Sequence, residues 1–316
     1  MFGDNACGNV TAPVALSFTS ATLSIIISLI SIPGNLLVLL AVLIDPNRDL
    51  RCPFNYFVSN LAFADLIVGC AVAPLSVIFH TCEGMRVHII VPIEVLHMLF
   101  FITCTASVLS LAALTVDRYL AITSPLQYRV KLSGQRVAIV SILIWVFSIS
   151  FSFIYTKIGY IAYTFLFAHT AVLFTFAVLI FTYVKIFASL KSQVQNWENL
   201  SDENSENSRQ VVKWEKKITK TFLIMLALFM ACYFPSVIFV YIMNFCRPCS
   251  CDLIHVSRDL QIMLVMANSG MNPFVYGWRL ENFRRAFKRL LMCRWFVKRI
   301  RSISRSVVTL STSVTE

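Results

Sequence analysis

Residues 19–44 read TSATLSIIISLISIPGNLLVLLAVLI, a run without a single Asp, Glu, Lys or Arg. As a helix rising about 1.5 Å per residue, such a run crosses about 30 Å of hydrocarbon. Six further apolar segments follow at 55–80, 89–116, 134–156, 162–187, 218–244 and 256–277, joined by short polar connectors. The reading is an all-α membrane protein, a seven-transmembrane helix bundle. Composition excludes a soluble protein with buried helices. Hydrophobic residues make up 58% of the chain and charged residues 14%, against roughly 25% charged in ordinary soluble domains.

Basic residues predict the orientation, because they are retained on the cytoplasmic side. With the N-terminus outside, the outer face holds Arg86, Lys157, Arg247 and Arg258, and the other 23 of the 27 basic residues fall inside. Ten of them lie from Arg279 to Arg305. The net charge of +11 therefore reads as attraction to anionic membrane lipids, not as a nucleic-acid footprint. Residues 1–18 lack a basic start and form an extracellular N-terminus. The first apolar segment is too long for a signal core and is expected to act as its own anchor. Residues 19–280 form the membrane domain. Residues 281–293 place Phe283, Phe287, Leu290 and Leu291 at helical spacing among basic residues, which predicts a short amphipathic eighth helix on the inner membrane surface. Residues 294–316 form a cytoplasmic tail.

Covalent features follow from that topology. Asn9-Val10-Thr11 is a glycosylation acceptor on the outer side. Cys7, Cys82, Cys246, Cys249 and Cys251 lie where disulfides form, and an odd number leaves at least one unpaired within the chain. Cys246, Cys249 and Cys251 suggest either zinc, with His255 nearby, or a disulfide stapling the loop, and the disulfide is preferred. Cys293, after the basic amphipathic stretch, is a palmitoylation candidate. Serines and threonines between Ser302 and Thr315 would recruit an arrestin-like partner once phosphorylated.

Polar groups at membrane depth are costly and mark function. Asp65 lies in the second segment. Asn35, Ser107, Asn268, Ser269 and Asn272 are its available partners in a bundle. They form either a wet pocket holding sodium on the carboxylate or a purely structural hydrogen-bond network. The third segment ends Asp117-Arg118-Tyr119. Arg118 has a local partner in Asp117 and a more distant one in Glu215, an arrangement suited to a two-state switch. Pro235 and Pro273 supply kinks. Tyr183 and Tyr276 are two phenols that meet when the sixth helix swings outward.

These motifs resemble those of rhodopsin-like (class A) G-protein-coupled receptors over about residues 19–293. They are Asn35, Leu61-Ala62-x-x-Asp65, Asp117-Arg118-Tyr119, Trp145, Cys232-Tyr233-Phe234-Pro235 and Asn272-Pro273-Phe274-Val275-Tyr276. The resemblance implies a receptor that binds an extracellular ligand and promotes nucleotide exchange on a heterotrimeric G protein. It assigns Arg118 and Tyr183 to the active state, Val108 and Phe229 to the core connector, and Tyr233 to a position that usually holds tryptophan. Three departures are informative. Ile93 replaces the usual cysteine, Thr175 replaces the usual proline, and the second outer loop, about Lys157 to Tyr160, is a few residues long. With Cys249-Ser250-Cys251 they resemble the group of melanocortin, adenosine, cannabinoid and lysophospholipid receptors. The acidic ligand positions of melanocortin receptors do not carry over, since Ile93 and His97 stand at two of them, and Val240 replaces the adenosine-binding asparagine. Phe100 stands where amine receptors have aspartate and Met266 where opsins have the retinal lysine, so neither an amine nor retinal is expected.

A short outer loop predicts a comparatively open pocket. Its candidate lining is Glu94, His97, Phe100, Phe101, Cys104, His169, Tyr233, Phe234, Val237, Tyr241, Gln261 and Met266. That set is mostly apolar with a few polar handles, as ligand sites are, and suits a peptide, nucleoside or lipid-like molecule. His97 and His169 read as boundary histidines in preference to a pH sensor. The third inner loop, 188–213, carries Glu198, Asp202, Glu203 and Glu206. A transporter or channel is the competing class. It would want a continuous polar stripe or repeated broken helices, whereas the buried polar groups gather around Asp65 and the inner helix ends. A membrane enzyme would need a convergent catalytic set, and no histidine lies at the depth of Asp65.

Overall fold

Helix ends in this chain are set by local capping and turn chemistry, and the bundle follows from them. In the computed structural model, residues 7, 10–88, 92–123, 133–173, 176–177, 180, 184 and 205–292 are described. Helix α1 is Val14–Ile44. Its C-terminal cap, Asp45, has φ 45°, and Asp45 Oδ1 accepts from the backbone N–H groups of Asp49 and Leu50. Helix α2, Pro53–Gly84, starts on a proline, whose missing N–H costs nothing at a helix start. Helix α3 is Ile93–Thr123. Helix α4 is Gly134–Ile158 and begins where Ser133 accepts from the Arg136 N–H. Helix α5 comprises Tyr160–Phe167 and a π-helical turn, Ala168–Leu173. Helix α6 is Ser205–Phe245. Helix α7, Cys251–Arg279, is capped by Ser250, and α8 is Glu281–Leu291.

Five of these helices, α1 to α4 and the Lys220–Phe245 part of α6, are long and apolar enough to cross a membrane. The chain is a multi-pass membrane protein. Large apolar side chains such as Leu29, Leu43, Ile142 and Phe274 point away from the bundle, the inverse of a soluble surface. Helix α7 is less apolar because its polar residues, among them Asp259, Gln261, Asn268 and Asn272, are buried against the other helices. Helix α1 packs along α2 and α7, α2 along α3, α3 along α4, and α6 along α7.

Several helices outrun their apolar segments. Helix α6 is already helical at Ser205, inside the stretch 188–213 expected as a loop. Hydropathy marks where a helix meets lipid, whereas polar good helix formers carry it on into water. Helix α2 contains one π-helical turn, Val68–Val72, just after Asp65. Ser28 of α1 donates to the Gly69 carbonyl there at 2.8 Å, satisfying an acceptor in the irregular turn. Helix α8 buries Phe283, Ala286 and Leu290. It is tied back to the α1–α2 connector, with Arg285 3.0 Å from Asp49 Oδ2 and Arg289 donating to the Pro46 carbonyl.

Two disulfides sit at the opposite end of the bundle. Cys246–Cys249 closes the α6–α7 connector, and Cys7–Cys251 joins the N-terminal segment to the start of α7. Cys251 therefore reaches outside its own loop, a correction to the expected local staple. Cys82 is buried and free. His255 does not join a zinc site with these cysteines. Its Nε2 lies 2.9 Å from the Val10 carbonyl.

Gly34 lets α1 approach Pro273 of α7, since a Cβ there would lie 3.0 Å from Pro273 Cγ. Gly34→Val is expected to lower stability by about 1–3 kcal/mol through overpacking, read as a fall in the melting temperature of the solubilised protein.

Candidate functional site

Helices α1, α2, α3 and α7 bring a polar set around Asp65, which is fully buried. Asn272 Nδ2 donates to Asp65 Oδ2 at 2.8 Å, and Ser107 donates to Asp65 Oδ1 at 3.3 Å. Asn35 Nδ2 donates to the Ser269 carbonyl, and Ser31 donates to the Asp65 carbonyl. Asn268 Oδ1 is buried without a hydrogen-bond partner among the described residues. It lines a cavity of about 10 Å³ with Ser107, Asn272, Leu61, Leu111 and Phe229. That is room for about one water or a small ion. Ser107 and Asn272, which line the cavity with Asn268, also bond the Asp65 carboxyl, so hard oxygen donors gather at and beside it.

At the α8 end, Arg118 is buried. Its Nε and one Nη donate to Asp117 Oδ2 at 2.9 and 2.6 Å, and its guanidinium lies 4.6 Å from the Phe54 ring centroid. Tyr119 is half-buried on the last turns of α3. Tyr276 is fully buried and stacks on Phe283, and its hydroxyl has no partner among the described residues. Glu215 lies on α6 with its side chain outside the described set. Tyr183, Asn9, Cys293, Thr175 and the tail lie outside it altogether. Tyr233 stacks on Phe229 at 4.0 Å and lines a cavity with Cys104 and Met266.

The expected pocket residues divide into two groups. His97, Phe100, Phe101, Cys104, Tyr233, Gln261 and Met266 are all buried, and of these Phe100, Cys104, Tyr233 and Met266 line a second cavity of about 10 Å³. Val237 is half-buried. His169 pairs with the Tyr241 hydroxyl at 2.6 Å on the margin between α5 and α6. Glu94 is exposed, and Phe234 is 60% exposed on the outer face of α6, so the fold does not bring these two into the pocket.

The pocket is also not open. His97 Nδ1 lies 3.0 Å from the Tyr155 hydroxyl, the His97 ring stacks on Tyr160 at 4.1 Å, and Tyr160 donates to Gln261 Oε1 at 2.8 Å. The connector between α4 and α5 is a single residue, Gly159, at φ 77°, a conformation that favours glycine. So short a link pulls both tyrosines over the pocket, where a longer loop would leave it clear.

The model of the 7 transmembrane receptor (rhodopsin family) matches residues 34–159 and 155–276. The chain belongs to the rhodopsin family of receptors. Among its relatives, the histamine H2 receptor of Cavia porcellus is 31% identical over 301 residues, spanning 87% of this chain and 80% of that protein. The histamine H2 receptor of Homo sapiens is 30% identical, with 89% and 81% covered. The human adenosine receptor A2a is 27% identical, with 88% and 73% covered. Rhodopsin-family membership decides against the transporter, channel and enzyme readings. The expected nearness to melanocortin, cannabinoid and lysophospholipid receptors gives way to these relatives, of which only the adenosine receptor lies in the expected group. The likeness had rested on Ile93, Thr175, a short loop and Cys249-Ser250-Cys251, a few positions that weigh less than identity over most of the chain.

One buried cluster in this rhodopsin-family receptor was missed by the sequence reading. At the disulfide end, Arg258 contacts Asp259 Oδ1 at 2.7 Å and Glu83 Oε1 and Oε2 at 3.2 and 3.3 Å. His80 Nδ1 lies 3.3 Å from Glu83 Oε2 and 3.7 Å from Asp259 Oδ2. Ser17 and Ser20 of α1 donate to Glu83 and Asp259. The available signal was the spacing of Ser17, Ser20, Ser24, Ser28, Ser31 and Asn35, which places a polar stripe down one face of α1.

Proposed function

We propose that this receptor binds a small extracellular ligand beneath Tyr160 and, in response, promotes nucleotide exchange on a heterotrimeric G protein. The observation that carries the reading is the vertical stacking of three buried layers on α3, α6 and α7. These are the aromatic pocket at Phe100 and Tyr233, the Asp65 network, and Arg118 near the opposite end. A ligand that displaces Tyr160 from His97 and Gln261 would press on Tyr233 and so on Phe229. Kinked α6 then moves relative to α3, exposing Arg118 to the partner. Differential affinity for the two arrangements is what shifts their populations. The disulfide end faces outside in this reading, and the α8 end faces the cytosol, where the tail would meet an arrestin-like protein.

The pocket's chemistry favours a nucleoside-like or lipid-like molecule with an aromatic or apolar body and one or two hydrogen-bonding groups for His97 and Gln261. A peptide of the kind melanocortin receptors bind fits such a closed site less well. The names of the histamine H2 relatives raise an amine as the second reading. Phe100 supplies no countercharge, and the carboxylates of Glu83 and Asp259 already hold Arg258. The test is guanine-nucleotide exchange on purified G proteins, with nucleosides, signalling lipids, melanocortin-type peptides and histamine in parallel. Exchange driven by histamine alone would replace the proposal with the amine reading. No exchange with any G-protein class would remove the coupling itself.

The sodium reading has its own outcome. Sodium chloride, compared with choline chloride, is expected to raise the melting temperature and lower basal exchange in the wild type. Asp65→Asn should lose both responses. An equal sodium response in the two proteins would leave the Asp65 set as a structural network.

A further inference from the structure

His80 and Glu83 stand one turn apart on α2, and Asp259 comes to them from α7. His80 Nδ1 is 3.3 Å from Glu83 Oε2 and 3.7 Å from Asp259 Oδ2, and the three ligand atoms lie within 4.8 Å of one another. Bonds of about 2.0–2.1 Å to a tetrahedral zinc ion place its ligands about 3.3–3.4 Å apart. The two distances from His80 are close to that spacing, and the two carboxylates, within 4.8 Å of each other, have to close in on a bound ion. The longer contact is beyond hydrogen-bond reach, so the imidazole's single Nδ1 proton does not satisfy both carboxylates.

The surroundings are built around the same oxygens. Ser17 donates to Glu83 Oε2 at 2.9 Å and Ser20 to Asp259 Oδ2 at 2.8 Å. Arg258 holds the other Asp259 oxygen and straddles both Glu83 oxygens. Two carboxylates thus share one guanidinium in a site whose His80 and Asp259 side chains are 3% and 2% exposed. Hydroxyls and a guanidinium that orient ligating carboxylates are what a metal site needs around its ligands. Glu83 and Arg258 keep some contact with solvent, at 11% and 17% side-chain exposure.

We propose that His80, Glu83 and Asp259 form a site for a divalent transition-metal ion, zinc being the ion that imidazole and carboxylate suit best, with water completing the shell. Bound there, the ion braces α2 against α7 above Asn268, Asn272 and Pro273, and so biases the α7 kink. The external source of the metal rests on the orientation proposed above, while the site itself does not.

The experiment uses the full-length receptor in nanodiscs, stripped with a chelator and then titrated with zinc chloride against a chromophoric competitor. The wild type is expected to take up one equivalent and to melt at a higher temperature. His80→Gln should weaken uptake by about tenfold or more, and His80→Cys should retain it, because a thiolate replaces the imidazole as ligand. Zinc uptake unchanged in His80→Gln, no uptake by the wild type, or an equal melting shift with calcium would each overturn the proposal. Should the variants not fold, zinc-edge X-ray absorption of the wild type decides. A shell of nitrogen and oxygen supports the site, and sulfur in the shell overturns it. Orientation is read separately by surface labelling of intact cells, so its failure is distinguishable from failure of the site.

Discussion

Arg118→Ala is expected to lower G-protein nucleotide exchange by about tenfold or more, equivalent to about 1.4 kcal/mol of lost coupling, while ligand binding persists. Arg118 is buried with two hydrogen bonds to Asp117 and with Phe54 beside its guanidinium. A buried charge held this way leaves its carboxylate only when another acceptor takes that place. Alanine removes the only group on that turn able to donate several hydrogen bonds in a fixed fork. Arg118→Lys should recover part of the exchange, since it keeps the charge but not the fork. The check is exchange measured on purified G protein beside ligand binding to the same preparation. Full-strength exchange by Arg118→Ala would show that coupling runs through another residue.

Asp259→Ala is expected to be the most destabilising single change at the disulfide end, costing about 3–5 kcal/mol as the penalty for breaking a buried ion pair. Arg258 loses its 2.7 Å contact and keeps Glu83, at 3.2 Å or more, and the Phe79 ring at 5.6 Å. Ser20 loses its acceptor on α1 as well. The guanidinium is only 17% exposed, so water replaces little of what is lost. Pairing Asp259→Ala with Arg258→Met should restore much of the stability, because an apolar residue leaves no charge stranded. Melting temperatures taken in chelator separate this effect from any metal. As a control, Glu94→Ala, on an exposed position, should change little. A wild-type melting temperature for Asp259→Ala would mean that the ion pair contributes nothing net.

The seven crossings were legible because hydropathy is local: each segment declares itself from its own residues. Asp65 and Arg118 were legible for a related reason, since a charge inside an apolar run is conspicuous. Asn272 and Ser107 could be named as partners of Asp65 on helix depth alone, and both lie within 3.3 Å of it. Phe234 and Glu94 show the limit of depth. Both sit at a sensible height, but a small rotation of a helix decides whether a side chain faces the bundle or the outside. The tyrosines over the pocket were missed for another reason. A short loop was read as an opening, whereas the single glycine at 159 draws Tyr155 and Tyr160 inward over His97.

From its residue order alone, this chain gives the apolar segments, the amphipathic eighth helix and the places of Asp65 and Arg118 within those segments. All of these depend on residues within a few turns of one another. Tertiary structure alone decides that Ser20 meets Asp259 across 239 residues, that Arg258 meets Glu83 across 175, and that Cys251 reaches Cys7. Those contacts depend on how α1, α2 and α7 rotate and tilt as they pack. That is set by the shape of whole faces, including the space left at Gly34, and no short window of sequence contains it.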